Sequence, residues 1–135
     1  MTPPTREQRF IRSSEDVTLV RQLVRTHAVA LGFTLVEQTK LVTAASELAR
    51  NALEHGGGGQ MVLEQLAETA RRGLRLTFMD EGPGIADISL AMKDGYTTSS
   101  GLGYGLGGAK RLVNEFDIES APGKGTRVTI TRWKG

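Results

Sequence analysis

Glu47-Leu48-Ala49-Arg50-Asn51-Ala52-Leu53-Glu54-His55 is the stretch on which the reading of the fold turns. Leu48 and Ala52 continue a stripe begun by Leu41 and Ala45, the spacing of a helix face turned toward a core. Glu47, Asn51 and His55 stand at i, i+4 and i+8 and share a second face beside that stripe. Three polar groups are therefore expected at the edge of the core. Upstream, Thr34 with Glu37 three residues on makes a capping box, which predicts a helix over 35–54. Downstream, the glycine run 56–59 ends it.

Working outward, residues 7–13 form a short opening strand. Ser13 or Ser14 caps a first helix, with Glu15 and Asp16 in its first turn where the dipole favours acids. Val17, Val20, Val24, Ala28 and Leu31 follow at helical spacing, and Gly32 supplies the stop. Strands are predicted over 60–67 and 73–80, with Glu68–Arg72 as the tip between them. The second alternates Leu74, Leu76 and Phe78 against Arg75, Thr77 and Met79, so one face is buried. A short helix near 87–93, a third helix over 105–115 and a closing hairpin follow, with Pro122-Gly123-Lys124-Gly125 as its turn. The class predicted is α+β: a two-layer α/β sandwich with a mixed, mainly antiparallel sheet and helices on one face. The other face is left to solvent or to a partner.

Composition narrows the function classes. At 135 residues, one domain spanning 1–135 is expected. Seventeen basic against fifteen acidic residues leave too little excess charge to suggest a nucleic-acid or membrane partner. The absence of cysteine removes disulfides, thiolate nucleophiles and thiolate metal sites. No signal-like opening and no apolar run near the roughly 18 residues of a spanning helix are present, so a cytoplasmic location is expected. The 17 glycines matter by placement, gathering at 56–59, 82/84, 101–108 and 123/125. Such clusters between patterned segments mark sharp turns or close approach to a ligand.

Several residues carry possible chemistry, each beside a plainer reading. Glu47 reads as part of a solvated helix face when taken singly. Asn51 is a poor helix-interior residue, and its amide oxygen suits Mg²⁺, a hard cation that prefers oxygen donors and shares them with phosphate. Asp80-Glu81-Gly82-Pro83-Gly84 is an ordinary turn composition, yet it sets a carboxylate at a strand end beside side-chain-free glycines. A carboxylate there can accept from an exocyclic amine such as that of adenine. Gly101-x-Gly103-x-Gly105, leading into a helix, aims backbone N–H groups at an anion. It is neither a Walker A loop nor a convincing dinucleotide fingerprint. Its serines, threonines and glycines suggest a lid closing over nucleotide. Lys110 and Arg111 either reach phosphate or lie exposed. Thr126, in Gly123-Lys124-Gly125-Thr126, offers a hydroxyl near the ring bound by Asp80.

Order and spacing make the set specific. Glu47 to Gly56 resembles the N box of the GHKL (Bergerat-fold) superfamily. Asp80-Glu-Gly82-Pro-Gly84 resembles its G1 box, Gly101-Leu-Gly103-Tyr-Gly105 its G2 box, and Gly123-Lys-Gly125-Thr126 its last glycine-threonine motif. The resemblance covers nearly the whole chain. Lys93-Asp94-Gly95-Tyr96-Thr97-Thr98 and Ala109 to Asp117 are similar to the stand-alone RsbT-type serine/threonine kinases of bacterial partner-switching systems. One departure is Gly107, where that type often has proline.

The resemblance implies ATP and Mg²⁺ as cofactors. Asn51 would ligate the metal, and Asp80, supported through water by Thr126, would accept from the adenine amine. Gly82 and Gly84 would leave room for the ring, and backbone around Gly101, Gly103, Gly105 and Gly107 would wrap the phosphates, with Lys110 helping to neutralise them. Glu47 would be general base toward a protein serine or threonine, and His55 would position Glu47 or the loop. The implied substrate is a STAS-domain antagonist in a stressosome-like scaffold, and the implied downstream partner a PP2C-type phosphatase. A nucleotide-gated anti-sigma factor of the SpoIIAB/RsbW type is the alternative. A degenerate regulator without transfer activity is a third, and homodimerisation stays open.

Overall fold

The computed structural model describes residues 4–92 and 105–135. Local chemistry sets the first helices. Strand β1 (Arg6–Ile11) leads into α1 (Ser14–Ala30), which ends where Gly32, at φ +83°, closes a Schellman turn. In that turn Phe33 N–H donates to Ala28 O at 2.9 Å, and Gly32 N–H to Val29 O at 3.0 Å. Helix α2 (Leu35–Glu54) opens with the full capping box: Glu37 N–H donates to Thr34 Oγ1 at 3.1 Å, and Thr34 N–H to Glu37 Oε1 at 2.8 Å. Ser13 sits at the α1 N-cap without a side-chain cap bond.

Strands β2 (Gly59–Ala67) and β3 (Arg72–Asp80) form a hairpin, and α3 (Ile88–Ala91) is a single turn. Helix α4 (Leu106–Arg111) precedes β4 (Glu115–Ser120) and β5 (Thr126–Trp133). The helix expected over 105–115 is therefore shorter. Asn114 N–H is already committed to Thr131 O at 3.0 Å and Glu115 pairs with Thr131, so sheet pairing claims the segment first. The opening strand likewise ends at Ile11 rather than at 13.

The strand order is β1-β2-β3-β5-β4. Each described pairing is antiparallel, so the sheet is not mixed. Inserting β5 between β3 and β4 makes β5 a central strand, and it buries Val128 and Ile130 against the core. Helices α1 and α2 pack on one face, where Val20, Val24, Ala28, Leu41, Ala45 and Leu48 meet Met61, Leu63, Leu74 and Leu76. The opposite face carries a polar ladder including Glu64, Arg75, Thr77, Asp117, Arg127 and Thr129.

One polar cluster interrupts the core away from the cleft described below. His27 is fully buried on α1, with Nε2 2.5 Å from Glu7 Oε2 of β1 and Nδ1 2.8 Å from Gln65 Nε2 of β2. The imidazole thereby donates to the carboxylate and accepts from the amide, so both ring nitrogens are satisfied.

Candidate nucleotide site

The cleft lies between the C-terminal half of α2 and the ends of β3 and β5. Its walls are apolar: Leu48 and Ala52 from α2, Phe78 from β3, Val128 from β5, Ile85 from the β3–α3 loop and Leu106 from α4. Asn51, His55, Asp80, Gly84 and Thr126 supply its polar points. The cavity these walls leave is small, about 30 Å³. A narrow apolar slot with a few convergent polar groups suits a flat heteroaromatic ring.

Sheet register brings two of the polar points together. Asp80, the last residue of β3, stands directly opposite Thr126, the first of β5. Asp80 Oδ1 accepts from Gly82 N–H at 3.0 Å. Burial pushes the Asp80 carboxyl above its ordinary value, while hydrogen bonds from the Gly82 and Thr126 N–H groups and the nearby His55 pull it down. Burial wins. The Thr126 hydroxyl is held by Ser120, whose Oγ lies 2.8 Å from Thr126 Oγ1 and donates to Gly125 O at 2.9 Å. The same Ser120 Oγ accepts from Ile85 N–H at 2.8 Å, tying an apolar wall to the polar floor.

Gly84 is required by space as well as by torsion. At φ +77°, a Cβ there would sit 2.0 Å from Ala121 O. The backbone of the β3–α3 loop therefore lies directly on the β4–β5 turn, and the cleft stays open in front of Asp80.

Expected site residues fall into three groups. Asn51, Asp80, Gly84 and Thr126 line one cleft, and Gly82 anchors Asp80. Glu47 is not among the lining residues; it lies beside Gly105, with its Oε1 3.4 Å from Arg50 Nη1. Gly105 is the α4 N-cap at φ +67°, whereas Gly107 lies within the helix and Lys110 is exposed near its end. Gly101 and Gly103, with the rest of the glycine stretch before Gly105, lie outside the described residues.

Sequence reasoning missed Ser120 and the walls Ile85 and Leu106. Ser120 ends a strand as a routine polar residue, and only the fold shows that it joins Thr126 to Ile85. Leu106 was legible as a core position of its helix, without sign that it also closes the cleft.

Residues 36–134 match the profile of the family described as histidine kinase-, DNA gyrase B- and HSP90-like ATPases. The chain belongs to this ATPase family. Within it, the chain is 46% identical over 123 residues to the serine/threonine-protein kinase RsbT of Bacillus subtilis (strain 168), covering 91% of this chain and 92% of that one. It is an RsbT-like member. The anti-sigma F factor of Thermoanaerobacter sp. (strain X514) is more distant, at 31% over 135 residues, with 96% and 93% covered. Among solved structures, the catalytic domain of the histidine kinase ThkA superposes with a TM-score of 0.58 at 15% identity, covering 95% of this chain and 96% of that domain. That likeness bears on the fold alone. No helix among the described residues is long and apolar enough to cross a membrane.

Proposed function

We propose that this chain is a single ATP-binding kinase domain that transfers the γ-phosphoryl group of ATP to a serine or threonine of a STAS-domain antagonist and then engages a PP2C-type phosphatase. The observation that carries the reading is 46% identity, over nine-tenths of the chain, to a protein serine/threonine kinase. The cleft is consistent with the nucleotide: the ring would enter between Phe78, Ile85, Leu106 and Val128, with its exocyclic amine toward Asp80. Oδ1 accepts from Gly82 N–H, and the carboxylate keeps further acceptor capacity for that amine.

Asn51, on the helix wall of the same cleft, would offer its amide oxygen to a Mg²⁺ that also binds phosphate. The described residues contain no cluster of three acidic, histidine or cysteine ligands. That fits a metal held mainly by phosphate oxygens and water, as Mg²⁺ commonly is. Glu47, one turn before Asn51, would take the proton of the acceptor hydroxyl. The hydroxyl oxygen bonds to the γ-phosphorus as the bond to the bridging oxygen breaks, and ADP leaves with that electron pair. The glycines before Leu106, together with Lys110, are assigned to the phosphates.

The test is radiolabel transfer from ATP to a STAS protein encoded beside this chain. Transfer by the wild type, with loss in Asn51→Ala and Asp80→Asn, is the expected result. Wild-type transfer no greater than that of the two variants, with ATP binding confirmed, overturns the kinase reading. The 31% identity to anti-sigma factors over most of the chain supports a second reading, sequestration of a sigma factor. Co-purification decides between them: a retained sigma factor favours sequestration, and a STAS protein or phosphatase favours the kinase.

A further inference from the structure

Glu47 is held from two sides, and neither contact belongs to the nucleotide cleft. On its own helix, Arg50 stands one turn on, with Nη1 3.4 Å from Glu47 Oε1. On the other side, the bare Cα of Gly105 faces Oε2 so closely that an added Cβ would sit 2.4 Å from that oxygen and 3.3 Å from the Glu47 Cβ. Gly105 heads α4, and the next residue, Leu106, is a wall of the cleft. The carboxylate thus lies at the rim, between a guanidinium and the backbone of Gly105.

The Arg50–Glu47 pair contributes little to folding. Both side chains are substantially exposed, at 47% and 38%, and exposed pairs of this kind contribute about 0–1 kcal/mol. Its consequence is directional. Glutamate has three side-chain torsions, and an exposed one samples many rotamers unless something restrains it. A guanidinium stays charged at every working pH, so the restraint holds whatever the state of the remaining site.

We propose that Arg50 is a positioning residue, holding the Glu47 carboxylate against Gly105 in the orientation from which it receives the proton of the acceptor hydroxyl. The inference rests on the reading of Glu47 as general base. Arg50 is not among the residues that line the cleft. Its loss therefore lowers turnover without changing how tightly either substrate binds.

The experiment compares Arg50→Ala, Arg50→Gln and Arg50→Lys with the wild type and with Glu47→Gln, measuring kcat, KM for ATP and for the protein substrate, and thermal midpoint. Arg50→Ala and Arg50→Gln are expected to lower kcat by a factor of about two to five, the change in population that so weak a restraint can produce. Both KM values and the thermal midpoint stay near wild type, and Arg50→Lys recovers most of kcat because it restores a cation one turn from Glu47. Three results overturn the inference. One is wild-type kcat in Arg50→Ala while Glu47→Gln is inactive. Another is a loss confined to KM for the protein substrate, which would make Arg50 a docking residue. The third is Arg50→Lys no better than Arg50→Gln. An active Glu47→Gln instead refutes the base reading, and this inference with it.

Discussion

Asp80 shows at the scale of one residue how a carboxylate lining a cleft can cost stability. Its carboxyl lies above the ordinary value because burial outweighs the hydrogen bonds that favour its charge. The native state therefore binds a proton more readily than the unfolded chain. The stability linked to that proton is complete below the ordinary value of 3.8 and is lost as pH rises through the raised value. At neutral pH the ionised carboxylate is a burden on the ligand-free fold. Asp80→Asn should raise the thermal midpoint of the ligand-free protein at pH 7. The same change should weaken ATP binding at least tenfold, since an amide N–H would meet the adenine amine and leave about 1–3 kcal/mol of hydrogen bonding unmatched. Calorimetry with and without nucleotide checks both halves. A second residue-scale contrast separates torsion from space. Gly84 and Gly123 have φ +77° and +76°, but only at Gly84 would a Cβ meet backbone. Gly123→Ala should cost about 1–2 kcal/mol, and Gly84→Ala roughly 2–5 kcal/mol once overpacking is added, as read by urea unfolding.

Elements in this chain are well defined where their ends are set locally. The α2 start rests on Thr34 and Glu37, whose bonds lie within one turn, and the predicted span 35–54 is the observed one. Glu37 also accepts from Gly135 N–H at 2.8 Å, linking the start of α2 to the residues after β5. Backbone bonds from Thr34 and Gly135 hold the Glu37 carboxyl below its ordinary value. A depressed carboxyl contributes stability above its unfolded value of 4.5, and loses it as pH falls through the folded value. Thr34→Ala should therefore cost about 1 kcal/mol at pH 7. Glu37→Gln should flatten the loss of stability below pH 4.5, measured by denaturant unfolding across an acid series. The α4 end was not legible in the same way. Leu112 and Val113 continue a helical pattern, but Asn114 and Glu115 are taken by Thr131, a partner far along the chain.

The whole molecule is a sheet with two long helices on one face and a cleft at one end, and its ligand response follows from that layout. The cleft walls come from α2, β3, β5, α4 and the β3–α3 loop, so a nucleotide bound there would touch several elements at once. ATP with Mg²⁺ at about 100 times its dissociation constant should stabilise the fold by about 2.7 kcal/mol. Asn51→Ala should remove most of the part that depends on Mg²⁺. A thermal shift series over nucleotide, with and without EDTA, measures it. A shift in Asn51→Ala as large as in the wild type would refute the metal assignment.

The capping box, glycine stops and turn residues were readable along the chain because each acts over a few residues, and so were the four motifs that carry the family resemblance. Asn51 and Asp80 stood out by residue type and neighbours. Tertiary structure alone decided that β5 lies between β3 and β4 and that every described pairing is antiparallel, and it set the register that puts Thr126, expected near Asp80, directly opposite it. It also brought Ser120 to Thr126, and Gly105 to Glu47. Strand neighbours are selected by pairing a central strand's two edges and burying its apolar face against distant residues, and no local window contains that competition. The raised Asp80 carboxyl has the same origin, since burial is a property of everything packed around it.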